Sequence, residues 1–235
     1  MPSIARSVRR QGLSLVAGLL LIGHVHAAEP AHYRLDPVHT RVLFAIEHAG
    51  FSHALGTVSG STGTLDFDPD DWTTARLHAR VPLARADLGD AAWNRAALAG
   101  NLLDVARFPV AEFASTTVEP LAPNHARVHG TLTLHGVSRE VVLDVTLNAL
   151  KRHPLPPFRR TVGFSATATL SRKAFGIDAW PSVIGDAVEL RIEAEAVRAR
   201  ADGSDDDATE SPDAASVPAA ASADTPSDSA TDSTP

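Results

Sequence analysis

The stretch RVHGTLTLHGVSREVVLDVTLN, Arg127 to Asn148, decides the fold. Val128, Gly130, Leu132 and Leu134 alternate with Arg127, His129, Thr131 and Thr133. After the turn His135-Gly136-Val137-Ser138 the alternation resumes, with Val141, Leu143, Val145 and Leu147 set against Val142, Asp144, Thr146 and Asn148. Residues two apart share one face of a strand, so this period predicts an antiparallel hairpin with one apolar and one polar face.

The same period recurs on both sides of the hairpin. Val42, Phe44 and Ile46 oppose Arg41, Leu43, Ala45 and Glu47, and Val162, Phe164, Ala166, Ala168 and Leu170 oppose Gly163, Ser165, Thr167, Thr169 and Ser171. Val188, Leu190, Ile192 and Ala194 oppose Glu189, Arg191, Glu193 and Glu195. Shorter strands are expected at Leu55 to Gly60, Thr64 to Asp68, Ala75 to Val81 and Ala111 to Val118, with a turn across Gly60 to Gly63. The result is an all-β domain of about eight strands. One wetted face per strand is the mark of an antiparallel sheet, and a parallel α/β architecture is excluded. Between Asp87 and Val105 the alternation stops and Ala, Leu and Trp93 dominate, which predicts one short helical insertion.

A sheet with a continuous apolar face must close on itself or meet a second sheet. Ala79, Ala111, Gly130, Ala166, Ala168 and Ala194 fall on apolar faces, where a close-packed interior would more often place Leu, Ile or Phe. An eight-stranded barrel is about wide enough to fill with its own side chains or to hold one small ligand, and small lining residues favour the ligand.

The ends of the chain differ from its middle. Arg6, Arg9 and Arg10 precede an apolar run from Leu13 to Ile22 and a small-residue exit with Val25 and Ala27. That pattern predicts a secretory signal over residues 1–27, cleaved after about Ala27, and hence a periplasmic protein. The chain has no cysteine, which excludes a lipoprotein anchor and leaves burial alone to stabilise the exported domain. Residues 28–200 form one domain. Residues 201–235 are rich in Asp, Ser, Ala, Thr and Pro, with no aromatic residue and no Lys or Arg, and are expected to be a disordered acidic tail. Its nine acids outweigh the net charge of −7 for the whole chain, so the domain itself is near neutral. Nucleic acid is excluded as a partner.

Three patterns that could carry chemistry are incomplete in this chain. The eleven histidines are scattered and give no metal-ligand spacing, so no metal is expected. Gly163-Phe164-Ser165-Ala166 lacks the second glycine of a nucleophile elbow. Asp144, Glu189, Glu193 and Glu195 face water by parity and offer no acid and base pair in a cleft. These absences point to a binding protein and not an enzyme, with no cofactor.

Five stretches carry a resemblance: LDPVHTRVLFAIEHAGFSHALGTVSG (Leu35 to Gly60), ARFPVAEFAS (Ala106 to Ser115), GTLTLHGVSREVVLDV (Gly130 to Val145), GFSATATLSRKAFGI (Gly163 to Ile177) and IGDAVELRIEAEA (Ile184 to Ala196). In this order they resemble the YceI-like family of exported lipocalin-like proteins. The resemblance implies a lipocalin-like barrel holding a long polyisoprenoid or amphiphilic lipid, a quinone among the candidates. Where typical members carry an Arg-Asp pair and a Phe-Phe pair in the helical insertion, this chain has Trp93-Asn94 and Leu102-Leu103. If the insertion lids the cavity, that departure implies a different ligand shape or head group.

The expected cavity lining is Val42, Phe44, Ile46, Phe67, Leu77, Ala79, Phe113, Leu132, Leu134, Leu143, Val145, Phe164, Ala166, Ala168, Leu190 and Ile192. His39, Arg172 and Trp180 are the candidates for the rim or for a polar head group, and Asp36, Arg172 and Asp186, near strand ends, for a structural ion pair or a head-group contact. The function so read is carriage or sequestration of an isoprenoid or other long-chain lipid in the periplasm. The alternative is an envelope interaction module with a packed barrel and no lipid. A transient membrane contact and a homodimer are both compatible with the sequence.

Overall fold

The computed structural model describes residues 29–199; the expected signal and acidic tail lie outside the described residues. In chain order the elements are β1 (Ala31–Leu35), β2 (Arg41–His48), β3 (Ser52–Ser59), β4 (Thr62–Phe67), β5 (Arg76–Pro82), β6 (Ala86–Asp87), α1 (Ala91–Leu98), β7 (Val110–Ala122), β8 (His125–Leu134), β9 (Val137–Arg152), β10 (Arg160–Ser171) and β11 (Ile184–Arg198). Every strand pairing is antiparallel.

Eleven segments make eight courses of a closed barrel, because each of the first three courses is broken once. β1 and β2 both lie along β11, with Leu35 opposite Ala196 and Arg41 opposite Glu193. β3 pairs with β2 and β4 with β1, so these two also form one course interrupted at Gly60-Ser61. β5 pairs with β4 and β6 with β3, interrupted by a 3₁₀ turn at Leu83–Arg85. β7 to β11 then follow as an uninterrupted meander, and β11 closes the ring on β1 and β2. At the first break the Asp36 carboxylate accepts from the Val38 and His39 amides, and Gly60 N donates to the Pro37 carbonyl. The backbone groups released there therefore keep partners.

The inner face follows the expected parity. Val162, Phe164, Ala166, Ala168 and Leu170 of β10 stand opposite Ala196, Ala194, Ile192, Leu190 and Val188 of β11. Two bulges reset it. Asn148 is the extra residue where the β9 register shifts opposite Gly163 and Phe164, so Leu150, opposite the buried Val162, continues the inner face after Leu147. A second shift between Ser115 and Thr117 places Val118 inward after Ser115. The predicted helical insertion shortens to α1, because Asp90 caps it by accepting from the Ala92 and Trp93 amides. The chain from Ala99 to Phe108 returns in turns.

One end of the barrel is filled by Tyr33, Phe67, Trp72 and Phe164. Phe67 meets Trp72 edge to face at 5.2 Å and Phe164 at 5.4 Å. Two inward glycines make room for further rings. A Cβ on Gly56 would lie 2.3 Å from the Phe44 ring, and one on Gly130 would lie 2.3 Å from the Phe113 ring and 2.6 Å from the Ala114 carbonyl oxygen. The Phe44 ring can swing, whereas the Ala114 backbone cannot. Gly130→Ala is expected to cost about 1–3 kcal/mol and Gly56→Ala distinctly less; urea unfolding of both variants checks this, and an equal or reversed order would contradict it.

Candidate functional site

The barrel is hollow. A cavity of about 490 Å³ occupies its interior, within the ordinary size of a ligand pocket. Of the sixteen residues expected to line it, fifteen do so. Ala168 is the exception: it shares the inward face of β10 but packs against the core cluster without bordering the cavity. Val42, Phe44, Ile46, Leu190 and Ile192 face the interior yet are only half-buried, since the space they border is open to solvent. A packed barrel, the basis of the alternative reading, is not what the chain forms.

The helical insertion does cover one end. Trp93, Ala96 and Ala97 of α1 border the cavity, as do Leu102 and Leu103 on the returning turns. The two residues of the Trp93-Asn94 dipeptide, which departs from the family pattern, have separate tasks. Trp93 lies against His48 with ring centroids 5.3 Å apart, while Asn94 accepts from the Leu88 amide and donates to Asp87, tying the helix to β6. Trp180 and Val183 also border the cavity, and together with Trp93 they are 48%, 41% and 40% exposed. Side chains that touch both cavity and solvent mark the opening.

The three rim candidates separate. Trp180 borders the cavity and is half exposed to solvent. Arg172 borders the cavity at only 4% exposure, but its guanidinium is committed to the fold. Nε donates to the Gly185 carbonyl, Nη1 to Ile177 and Nη2 to Ile184, each within 2.8 Å. It clamps the loop between β10 and β11. The expected ion pair with Asp186 does not form: Asp186 accepts instead from the Ser171 hydroxyl and the Lys173 amide, which lower its pKa. His39 lies away from the cavity. It borders a separate recess of about 230 Å³, and its half-exposed ring bonds to the Asp36 carboxylate at 2.7 Å. The break between β1 and β2 turns it outward, a change that strand parity alone does not anticipate.

That surface pair titrates. Partial burial pushes the Asp36 carboxyl up, but hydrogen bonds from the His39 ring and from two amides outweigh it and leave the pKa lowered. The bond to Asp36 raises the His39 pKa. A raised histidine contributes stability below its ordinary value of 6.5 and loses it as pH rises through the folded value. A lowered aspartate contributes above its ordinary 3.8 and loses it as pH falls.

Cavity residues that sequence reading missed include Ala54, Val58, Leu83 and Ile177. β3 carried the signal weakly, since its inward side chains are Ala54, Gly56 and Val58 and two of them are small. Among the described residues no three His, Asp or Glu side chains gather where they could hold a metal.

Two outcomes follow for the polar groups. Arg172→Met leaves three carbonyls without donors and is expected to destabilise by about 2–4 kcal/mol, read by urea unfolding. An unchanged midpoint would show that the clamp is dispensable. His39→Ala is expected to cost under about 1 kcal/mol near pH 5.5 and nothing near pH 8.5, with lipid uptake unaltered; a loss of uptake would return His39 to the binding site.

The comparisons agree with this geometry. The YceI-like domain matches residues 33–196. The chain is 32% identical over 188 residues to a UPF0312 protein of Pseudomonas savastanoi pv. phaseolicola, covering 79% of this chain and 95% of that one. It is 28% identical over 193 residues to a UPF0312 protein of Shewanella baltica, covering 81% and 100%. Among solved structures, Burkholderia cenocepacia BcnA superposes with a TM-score of 0.62 at 21% identity, covering 68% of this chain and 98% of that chain. A polyisoprenoid binding domain from Saccharophagus degradans, implicated in plant cell wall breakdown, superposes with a TM-score of 0.57 at 14% identity, covering 72% and 99%. At those identities the structures establish the shared fold alone. With the matched domain spanning most of its length, this chain belongs to the YceI-like family.

Proposed function

We propose that the protein binds a long-chain isoprenoid or similar amphiphilic lipid inside its barrel and carries or sequesters it in the periplasm. The single observation that supports this is the hollow, apolar interior: about 490 Å³ walled by Leu, Val, Ile, Phe and Ala from all eight courses. An apolar guest of that size makes dispersion contacts all along this lining. The polyisoprenoid binding domain of Saccharophagus degradans, which shares the fold, supports the same ligand class. The secretory pattern at Arg6 to Ala27 supports the location.

The protein binds without catalysing. The hydroxyls and titratable groups tied up in hydrogen bonds, such as Ser165 donating to Glu193 while Asn148 donates to Ser165, serve the sheet and not a reacting centre. No cofactor enters this reading; the lipid is the ligand.

Organic extraction of the natively purified protein followed by mass spectrometry is expected to yield a prenyl lipid. In uptake assays affinity is expected to climb with the number of isoprene units until the cavity is full, because each unit removes more apolar surface from water. Ala166→Phe, which projects a ring into the cavity, is expected to keep the circular dichroism spectrum and lose uptake by at least about tenfold. Uptake at the parental level in that variant, or none in the parent, would refute the reading.

A further inference from the structure

The opening of the cavity carries apolar side chains that the barrel itself does not use. Phe51, at the tip of the β2–β3 hairpin, is 92% exposed, and Trp180 and Val183 of the β10–β11 loop and Trp93 of α1 are each about two-fifths to a half exposed. These groups belong to one rim. Ile184 pairs with His48, the Ala49 amide donates to the Val183 carbonyl at 2.6 Å, and Trp93 lies on the His48 ring.

The rim is held, not slack. Ala49 and Gly50 both adopt positive φ in a tight turn, and the Gly50 amide donates to the Glu47 carboxylate at 2.6 Å. The Trp180 carbonyl accepts from both the Val183 and Ile184 amides, and Arg172 clamps the same loop from beneath. The backbone thus presents Phe51 and Trp180 outward at a cost in exposed apolar surface that folding does not recover. A cluster of this kind marks a surface that meets something apolar.

What it meets follows from continuity. Trp93, Trp180 and Val183 border the cavity as well as solvent, so one apolar surface runs from the outside to the interior. A partner on this rim stands where the cavity's ligand enters and leaves. Trp and Phe are side chains that settle at the boundary between headgroups and acyl chains. The charges argue in the same direction. The two loop segments of the rim carry no Lys or Arg, with none from Val42 to Ala75 and none from Ala174 to Leu190; Glu47 and Asp178 add negative charge there, against Arg95 as the one basic residue of α1. Attraction to anionic headgroups is therefore weak here, and insertion of apolar side chains is the remaining source of affinity.

We propose that the rim formed by Phe51, Trp93, Trp180 and Val183 docks on the surface of a lipid bilayer by shallow aromatic insertion, independent of anionic lipid, so that the ligand passes between membrane and cavity without crossing water. This rests on the lipid-binding reading above. Phe51 does not border the cavity, so it separates docking from binding.

The test uses the purified full chain with vesicles of phosphatidylcholine alone. Flotation is expected to show vesicle binding that changes less than about twofold between 50 mM and 500 mM salt and does not rise when anionic lipid is added. Phe51→Ser is expected to lower vesicle partition, and the rate of transfer of a polyprenyl probe from vesicles, by at least about tenfold. Uptake of the same probe delivered without membrane should stay at the parental level. Probe uptake with no vesicle binding, or binding that is lost at high salt, overturns the docking proposal and leaves the lipid-binding reading intact. Failure of uptake by either route overturns the lipid-binding reading as well. If sedimentation shows a dimer that Phe51→Ser converts to monomers with transfer unchanged, the rim is an interface between two copies and the proposal falls.

Discussion

The whole molecule depends on closing one sheet on itself. A sheet of alternating strands has two exposed liabilities, an apolar face and two unpaired edges, and a ring disposes of both. Closure here is made by β11, which pairs with β10 along one side and with β1 and β2 along the other. The three broken courses follow from that constraint. The breaks at Asp36 to Thr40, at Gly60-Ser61 and at Leu83 to Arg85 let these three courses bend within the ring, in turns with local backbone hydrogen bonds.

Closure does not by itself leave a hollow. An eight-course barrel can fill with its own side chains, and what prevents it here is the size of the inward residues. Ala54, Gly56, Ala79, Ala111, Gly130 and Ala166 stand between the larger side chains, and the Phe44 and Phe113 rings lie against Gly56 and Gly130. The interior is filled only at one end, by Tyr33, Phe67, Trp72 and Phe164. The other end is covered by α1 and the turns after it and bordered by two loops. The plug and the opening give the cavity two unlike ends, and of the polar residues that border it Arg172 is spent on three loop carbonyls while Ser115 accepts from the Leu77 amide.

Most of this wall was legible along the chain. In β8, in β9 up to Leu147, in β10 and in β11 from Val188 the inward set can be read from parity because these stretches are long and regular, and fifteen expected lining residues border the cavity. Reading failed where regularity failed. β3 hid its inward face behind small residues, the bulges at Asn148 and between Ser115 and Thr117 reversed parity without any local warning, and His39 left the strand at a break that parity counting ignores. Arg172 and Asp186 were rightly placed near each other, yet the guanidinium found three carbonyls that come together only when the β10–β11 loop folds over it.

The sequence by itself determined the class of fold, the count of courses, the position of the helical insertion and the apolar identity of the wall. All of these depend on spacing within a segment and on residue size, which a linear chain displays directly. Only the tertiary structure decided that the wall encloses open space, which end is plugged, which polar groups serve the fold, and that Phe51, Trp93, Trp180 and Val183 meet around one opening. Those properties depend on distances between residues far apart in the chain, and such distances exist only once the ring has closed.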